Sequence, residues 1–356
     1  YRMGYINNAP NPKLRWEKTR DVKVALDFGL WKDRINGIVE AYWRKSKDCV
    51  TSEYVPVTTG FFNQSYNTSV LQNNGVEFSL SVAVLKSKDY NLSVSANVAW
   101  NQNKLKKYNS PNTSLALDKY VGYPMGAVFS GKYEGIDPET GMYKFKLRPD
   151  AVTNKDGYLR EPNNYYYYLG TSVAPFTGGF NLNFSYKNIG LSVGGSYSVK
   201  AKMVDNIESP AGYELLSGSK LESIPTPHND LYRNHLNVKR EVRNRWTPEN
   251  RTGVKYPRLI DAYGKKLGLD LTNPTLTTIT RGALLEDISY LRINTIALSY
   301  SLPQRVLERI NFSSAALNLT LNNFFTITKY SGIDPEVPGA TYPVSRSVTI
   351  GLNVGF

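Results

Sequence analysis

Phe180-Asn-Leu-Asn-Phe-Ser-Tyr-Lys-Asn-Ile-Gly-Leu-Ser-Val-Gly-Gly-Ser-Tyr-Ser-Val199 is the stretch whose reading decides the fold. Phe180, Leu182, Phe184 and Tyr186 fall on one side of an extended chain, and Asn181, Asn183 and Ser185 on the other. After a short polar connection near 187–190, Leu191, Val193, Gly195, Tyr197 and Val199 oppose Ser192, Gly194, Ser196 and Ser198. Alternation with a period of two is the signature of a strand with unlike faces. Two such runs with so little chain between them read as antiparallel neighbours.

The same pattern recurs on both sides. Val22, Val24, Leu26, Phe28 and Leu30 alternate with polar or small residues, as do Ile35, Val39 and Trp43, then Val76, Phe78, Leu80, Val82 and Val84, then Leu92, Val94, Val98 and Trp100. Further on come Ile296, Leu298, Tyr300 and Leu302, Leu317, Leu319 and Leu321, and finally Val348, Ile350, Leu352, Val354 and Phe356. The pattern predicts nine strands, near the ~9–11 residues that a tilted membrane-crossing strand needs.

Composition narrows the class. With 41% hydrophobic and 21% charged residues the chain of 356 is too apolar to stay disordered. No run of ~18 apolar residues is present, which excludes a helical membrane span but not a β-barrel, whose alternating strands average out as polar. One cysteine, Cys49, excludes a disulfide scaffold. Two histidines, His228 and His235, have no spacing suited to a metal. Aromatics make up 12%, with 26 tyrosines, and the net charge of +13 suits an anionic partner such as nucleic acid or a lipid surface. Nucleic acid would require a reading motif, and none is present. The first residues, rich in Asn and Pro, read as loop with no signal peptide, so the expectation is a piece of a longer or processed chain.

Alternation alone fits a soluble sandwich, apolar face inward, as well as a membrane barrel, apolar face outward. Connection lengths separate the two. Short ones near 31–34, 86–91, 187–190 and 303–314 alternate with long ones at about 44–75, 101–178, 200–290 and 325–345. Outer-membrane barrels have short periplasmic turns and long extracellular loops, whereas such loops are anomalous in a compact soluble domain. Trp16, Trp31, Trp43, Trp100, Tyr186 and Tyr300 fall near strand ends, where an interfacial girdle sits. The expected fold is therefore all-β, an antiparallel transmembrane β-barrel segment covering 1–356 with about nine strands. Its last strand closes on Phe356, an in-phase terminal aromatic of the kind that acts as a barrel-assembly signal.

In order and spacing the chain resembles the C-terminal part of SusC/RagA-type TonB-dependent outer-membrane transporters of Bacteroidota. The segments that carry the resemblance include Asn11-Pro-Lys-Leu-Arg-Trp-Glu-Lys-Thr19, Val24-Ala-Leu-Asp-Phe-Gly-Leu30, Asn73-Asn-Gly-Val-Glu-Phe78 and Gly131-Lys-Tyr-Glu-Gly-Ile-Asp-Pro-Glu-Thr-Gly141. Arg245-Trp-Thr-Pro-Glu-Asn250, Ser289-Tyr-Leu-Arg-Ile-Asn294 and Asn322-Asn-Phe-Phe-Thr-Ile-Thr-Lys-Tyr-Ser-Gly-Ile-Asp-Pro-Glu336 complete it. The resemblance implies a 22-stranded barrel around a plug, with plug and TonB-binding segment outside these residues. It implies import of an oligosaccharide or peptide under a SusD-like surface lipoprotein, driven through TonB, possible pairing of two transporters, no enzymatic activity and no cofactor.

Candidate contacts for substrate or lid are Tyr165, Tyr166, Tyr167 and Tyr168, with Tyr133, Asn181 and Asn183. A tyrosine ring can stack on a sugar face while its hydroxyl hydrogen-bonds. The competing role for the tyrosines is packing of the loops against one another. Lys239, Arg240, Arg243 and Arg245 read as solvated loop charge. Several motifs carry little. Gly190-Leu-Ser-Val-Gly194 matches a nucleophile-elbow pattern, but Ser192 lies in a strand and not at a strand-to-helix turn. The Asp-Pro-Glu stretches at Asp137–Glu139 and Asp334–Glu336 read as turns before calcium sites. A short helical turn is expected near 305–310. The competing function is a soluble or surface-attached β-rich carbohydrate-binding or adhesion protein.

Overall fold

The computed structural model describes residues 9–109, 120–136, 138–139, 141, 143–151, 165–204, 243–254, 256, 281–338 and 342–356. The chain opens with four long strands, β1 (Lys18–Leu30), β2 (Ile35–Tyr54), β3 (Asn63–Lys86) and β4 (Tyr90–Tyr108). The next connection holds β5 (Ala127–Gly131), β6 (Tyr133–Ile136), β7 (Tyr143–Phe145) and β8 (Tyr166–Thr171). Then follow β9 (Phe176–Tyr186), β10 (Ile189–Val199), β11 (Lys202–Val204), β12 (Leu285–Asp287), β13 (Tyr290–Ser301), the helical turn α1 (Gln304–Arg309), β14 (Ser314–Thr328) and β15 (Ser347–Gly355). Nine of them form one antiparallel sheet in the order β1-β2-β3-β4-β9-β10-β13-β14-β15, the nine predicted from alternation. Each strand pairs with the next wall strand in sequence, so the sheet is an up-and-down meander.

Tight turns at one end set the register. Leu30 faces Ile35 across 31–34, where Trp31, Lys32 and Asp33 all adopt left-handed backbone (φ 53°, 56° and 62°). Tyr186 faces Ile189 across a two-residue turn, with Lys187 at φ 48°. These closures fix which residues share a face along the whole sheet.

One face is apolar and has no core behind it. Val22, Val24, Leu26, Val348, Ile350 and Leu352 are each more than half exposed. The buried apolar residues among those described, such as Leu105, Tyr108, Trp246, Ile288 and Tyr330, lie at or beyond the strand ends. A soluble sandwich would bury the alternating apolar set against a second layer; here that set looks outward. Aromatic rings on this face lie flat over neighbouring glycines. A Cβ at Gly37 would meet Phe28 Cζ at 2.3 Å, and one at Gly195 would meet Phe180 Cζ at 2.4 Å. These rings cover backbone that a glycine would leave bare.

The opposite face is polar, concave and charged. It lines a trough of about 800 Å³ bordered by Asp27, Asn36, Ser79, Ser95, Asn97 and Asn181. Cross-strand ion pairs stand on it: Lys23 Nζ lies 2.5 Å from Glu40 Oε1, and Arg44 Nη2 lies 2.6 Å from Asp21 Oδ2.

Three strands run further than the sequence pattern indicates. β2, β3 and β4 have 20, 24 and 19 residues, about twice what a crossing needs. The extra length lies in stretches such as Lys45-Ser-Lys-Asp48 and Asn101-Gln-Asn-Lys104, where neither face is apolar and alternation vanishes. Register shifts at 46–50 and 70–71, with Asp48 at φ 57°, mark where the extension begins. Such bulges bend and twist a strand pair. The segment before β1 braces them: Arg15 N donates to Asn67 Oδ1 (2.8 Å), and Asn67 Nδ2 donates to Asp48 O (2.6 Å).

The two faces differ in what they tolerate. Leu182→Lys, on the outward face of β9, is expected to destabilise the assembled barrel by about 2–4 kcal/mol. Asn181→Lys, one residue away on the inward face, should leave stability within about 0.5 kcal/mol. Denaturant unfolding of the lipid-reconstituted protein distinguishes them, and equal costs would contradict the assignment of faces.

Candidate functional site

Two polar regions could meet a solute. The first is the inner wall. Its side chains hydrogen-bond along the rows that the register dictates. Ser192 Oγ donates to Asn183 Oδ1 (2.8 Å), Ser196 and Asn294 bond each other (3.0–3.1 Å), Thr295 Oγ1 donates to Asn322 Oδ1 (3.1 Å), and Asn322 Nδ2 donates to Ser347 Oγ (3.0 Å). Ser192 thus sits inside a strand, bonded to its cross-strand neighbour. Of the expected contacts, Asn181 borders the trough, while Asn183 is engaged by Ser192 beside it.

The second region is at the long-loop end. Beyond Trp100, β4 runs past the end of its partner β9, which leaves one edge of the strand bare. Chain from the following connection covers that edge. Leu105 N donates to Tyr123 O (2.8 Å), Gly122 N donates to Leu105 O (2.7 Å), and Met125 N donates to Asn103 Oδ1 (2.8 Å). The docked segment and the wedge between β4 and β9 enclose a cavity of about 290 Å³ lined by Trp100, Asn101, Asn103, Lys104, Tyr123 and Tyr168. Asn101 Oδ1 is buried there with no hydrogen-bond partner among the described residues.

The tyrosine run supplies part of this cavity. β8 pairs with β5, which sets Tyr168 opposite Phe129 and Tyr167 opposite Ser130. Tyr168 then stacks at a tilt on Tyr123 (4.9 Å), and Phe129 meets Tyr123 edge-on at 4.9 Å. Tyr167 Oη donates to Leu147 O (2.8 Å). Burial pushes the phenols of Tyr133, Tyr165 and Tyr168 upward, so each stays a protonated donor near neutral pH. The run therefore divides: Tyr167 holds the loop together, whereas Tyr168 also fronts the cavity. Tyr133 stands apart beside Phe145, at 6.0 Å. Tyr168 and Asn181 line different concavities. Asn101, Asn103 and Lys104 were missed by sequence reading because they lie in the non-alternating extension of β4.

A third feature ties down the last long connection. Arg292 and Asp334 are 2% and 5% exposed and form an ion pair. Asp334 also accepts from the backbone N–H groups of Glu336 and Val344, both at 3.0 Å, and Arg292 Nε lies 3.2 Å from Glu336 Oε2 without a hydrogen bond. The Asp334 carboxylate is thus spent on its own loop and on Arg292. Among the described residues no group of three His, Cys, Asp or Glu could hold a metal ion. Asp137, His228, His235, Lys239 and Arg240 lie outside the described residues, and Cys49 is buried in the β2 extension.

Burial works to raise the Asp334 pKa, but the two backbone donors and Arg292 outweigh it and hold the carboxyl below its ordinary value. A depressed folded-state pKa contributes stability that is present above the unfolded pKa and lost as pH falls through the folded one. The described parts of this connection, 329–338 and 342–346, should therefore resist proteolysis unchanged from neutral pH down to the ordinary carboxylate range, near ~4, and open only below it. Arg292→Ala strands a buried carboxylate, so it should destabilise them by about 3–5 kcal/mol and expose them at neutral pH. Limited proteolysis across a pH series reads both effects.

Comparison with known proteins agrees with this geometry. No family model matches the chain. Among curated proteins it is 25% identical to the TonB-dependent receptor P26 of Formosa agariphila over 386 residues, covering 99% of this chain and 36% of that protein. It is 25% identical to the TonB-dependent receptor SusC of Bacteroides thetaiotaomicron over 371 residues, covering 97% of this chain and 32% of SusC. Among solved structures it superposes on the RagAB peptide transporter with a TM-score of 0.75 at 27% identity, covering 99% of this chain and 37% of that one. The chain spans about a third of the length of the curated relatives it matches. The chain is thus similar from end to end to TonB-dependent receptors of the SusC and RagA type, and its fold is that of the β-barrel wall of such outer-membrane proteins.

Proposed function

We propose that this chain is the C-terminal part of the barrel in an importer that carries a large nutrient, an oligosaccharide or a peptide, across the outer membrane. The observation that carries the reading is the pair of unlike faces: bare apolar side chains outside, and inside a trough bordered by carboxamides, hydroxyls and carboxylates, with ion pairs on the same face. A lumen of that kind hydrogen-bonds a hydrated solute without binding it tightly at one point, which is what passage requires. The sheet has two margins, β1 and β15, each paired on one side only. Hydrocarbon does not tolerate such edges, so further strands complete the wall. The plug that responds to TonB fits the concave side.

The long-loop end is the place for a lid. A SusD-like surface lipoprotein would close over the extension of β2–β4 and the loop strands β5–β8, with Tyr165–Tyr168 and Tyr133 facing it or its cargo. Asn181 and Asn183 would meet the cargo lower in the lumen. The chain would perform no covalent chemistry, and it would share the membrane with lipopolysaccharide and with a second transporter copy. Phe356, 91% exposed and edge-on to Phe312 at 5.1 Å, ends the outward face of β15 where assembly machinery can read it.

Two variants test the reading. Tyr168→Ala removes a stacking face from the loop cavity and should lower retention of the copurifying glycan or peptide about fivefold, with barrel assembly intact. Phe356→Ala should instead lower the amount of heat-modifiable barrel in the outer membrane and leave the ligand bound per barrel unchanged. Undiminished ligand retention in Tyr168→Ala would assign the tyrosine run to loop packing alone.

A further inference from the structure

The end of the sheet that carries the tight turns is basic. The connections 31–34, 86–89, 187–188 and 302–313 hold seven lysines and arginines against three carboxylates. All ten are exposed, and none of the seven cations takes part in an ion pair among the described residues. An ordinary soluble surface mixes its signs; this rim is cationic by more than two to one.

Its position relative to lipid is fixed by a row of three tyrosines and one isoleucine. Tyr90 faces Tyr186, Tyr186 faces Ile189, and Ile189 faces Tyr300, all on the outward face and each 42–44% exposed. Amphipathic rings in such a row sit at the level of lipid headgroups. Lys187 follows directly after Tyr186. Its N–H donates to Asp89 O at 2.7 Å, which holds the 86–89 and 187–188 turns side by side, and its ammonium stands 5.3 Å from the centre of the Tyr186 ring. A cation seated on an outward ring lies on the lipid side of the wall and not in the lumen. Lys88 lies in the adjoining turn, two residues before Tyr90, whereas Lys86 ends β3 opposite Asn91, on the lumen side of the wall.

We propose that this rim docks the phosphate headgroups of anionic glycerophospholipids in the periplasmic leaflet, centred on Lys88 and Lys187. The inference rests on the barrel-wall reading and is independent of which nutrient the barrel carries. Short-turn ends of outer-membrane barrels face the periplasm, where the available lipid anion is a phosphodiester. Basic side chains close to a membrane surface each strengthen attraction to anionic lipid, and ammonium groups at headgroup depth are placed for direct contact. The rings below them anchor the acyl-chain side of the same lipid.

The test uses the assembled barrel in detergent micelles, equilibrated with equal amounts of palmitoyl-oleoyl phosphatidylglycerol and phosphatidylethanolamine, with retained lipids counted by native mass spectrometry. The unmodified protein should retain phosphatidylglycerol over phosphatidylethanolamine by about fivefold or more. The double variant Lys88→Gln and Lys187→Gln should bring the ratio close to one, with the heat-modifiable gel shift unchanged. Removing the same charge at the other end, with Lys106→Gln and Lys107→Gln, should preserve the ratio. No preference in the unmodified protein, an undiminished preference in the first variant, or equal loss in both variants would each overturn the proposal. A protein that stayed in solution without detergent would instead overturn the barrel-wall reading itself.

Discussion

A peptide group in hydrocarbon has no water to bond, and that constraint organises this chain. Each unpaired N–H or C=O there costs several kcal/mol, so strands cross only as members of a ladder. From β2 to β14 every wall strand is paired on both sides, and the tight turns at 31–34 and 187–188 bring neighbours into register with almost no chain spent. With the backbone satisfied by the ladder, the side chains are free to face two solvents. Leu26 and Ile350 can then stand bare on one face while Lys23 and Glu40 pair on the other.

The extracellular architecture follows from what happens when that constraint ends. Past the membrane, water can satisfy either face, so β2, β3 and β4 continue as a polar ribbon with bulges and a brace from the preceding segment. Where β4 outruns β9, its bare edge is closed by the backbone of residues 122–125, and the closure creates the small aromatic cavity. The buried Arg292–Asp334 pair does the corresponding work for the last connection. Its value lies in position more than in energy, since a buried pair gains little net stability yet is costly to break.

Much of this was legible in the sequence. Alternation located all nine wall strands, because a membrane strand must sort its side chains by face. Even the inner ion pairs follow from the turn: closing Leu30 on Ile35 places Asp21 opposite Arg44. The short helical turn expected near 305–310 is α1, with Leu307 as its buried residue. What was not legible lay where sorting stops. Lys45–Tyr54 and Asn101–Tyr108 read as loop because strand pairing in water leaves no hydrophobic period, and the cavity residues Asn101, Asn103 and Lys104 lie there. Asp334 was readable as a turn residue, but its partner Arg292 is 42 positions away and carries no local signal.

The central claim is that apolar side chains meet lipid and polar ones meet a wet lumen. Spin labels placed one at a time along 180–186 of the lipid-reconstituted barrel, in a Cys49→Ser background, test it most directly. Collision rates with oxygen, which concentrates in hydrocarbon, and with a water-soluble nickel chelate should alternate residue by residue. Oxygen should dominate at 180, 182, 184 and 186, and nickel at 181, 183 and 185. Nickel access at the even positions, or no alternation at all, would contradict the account.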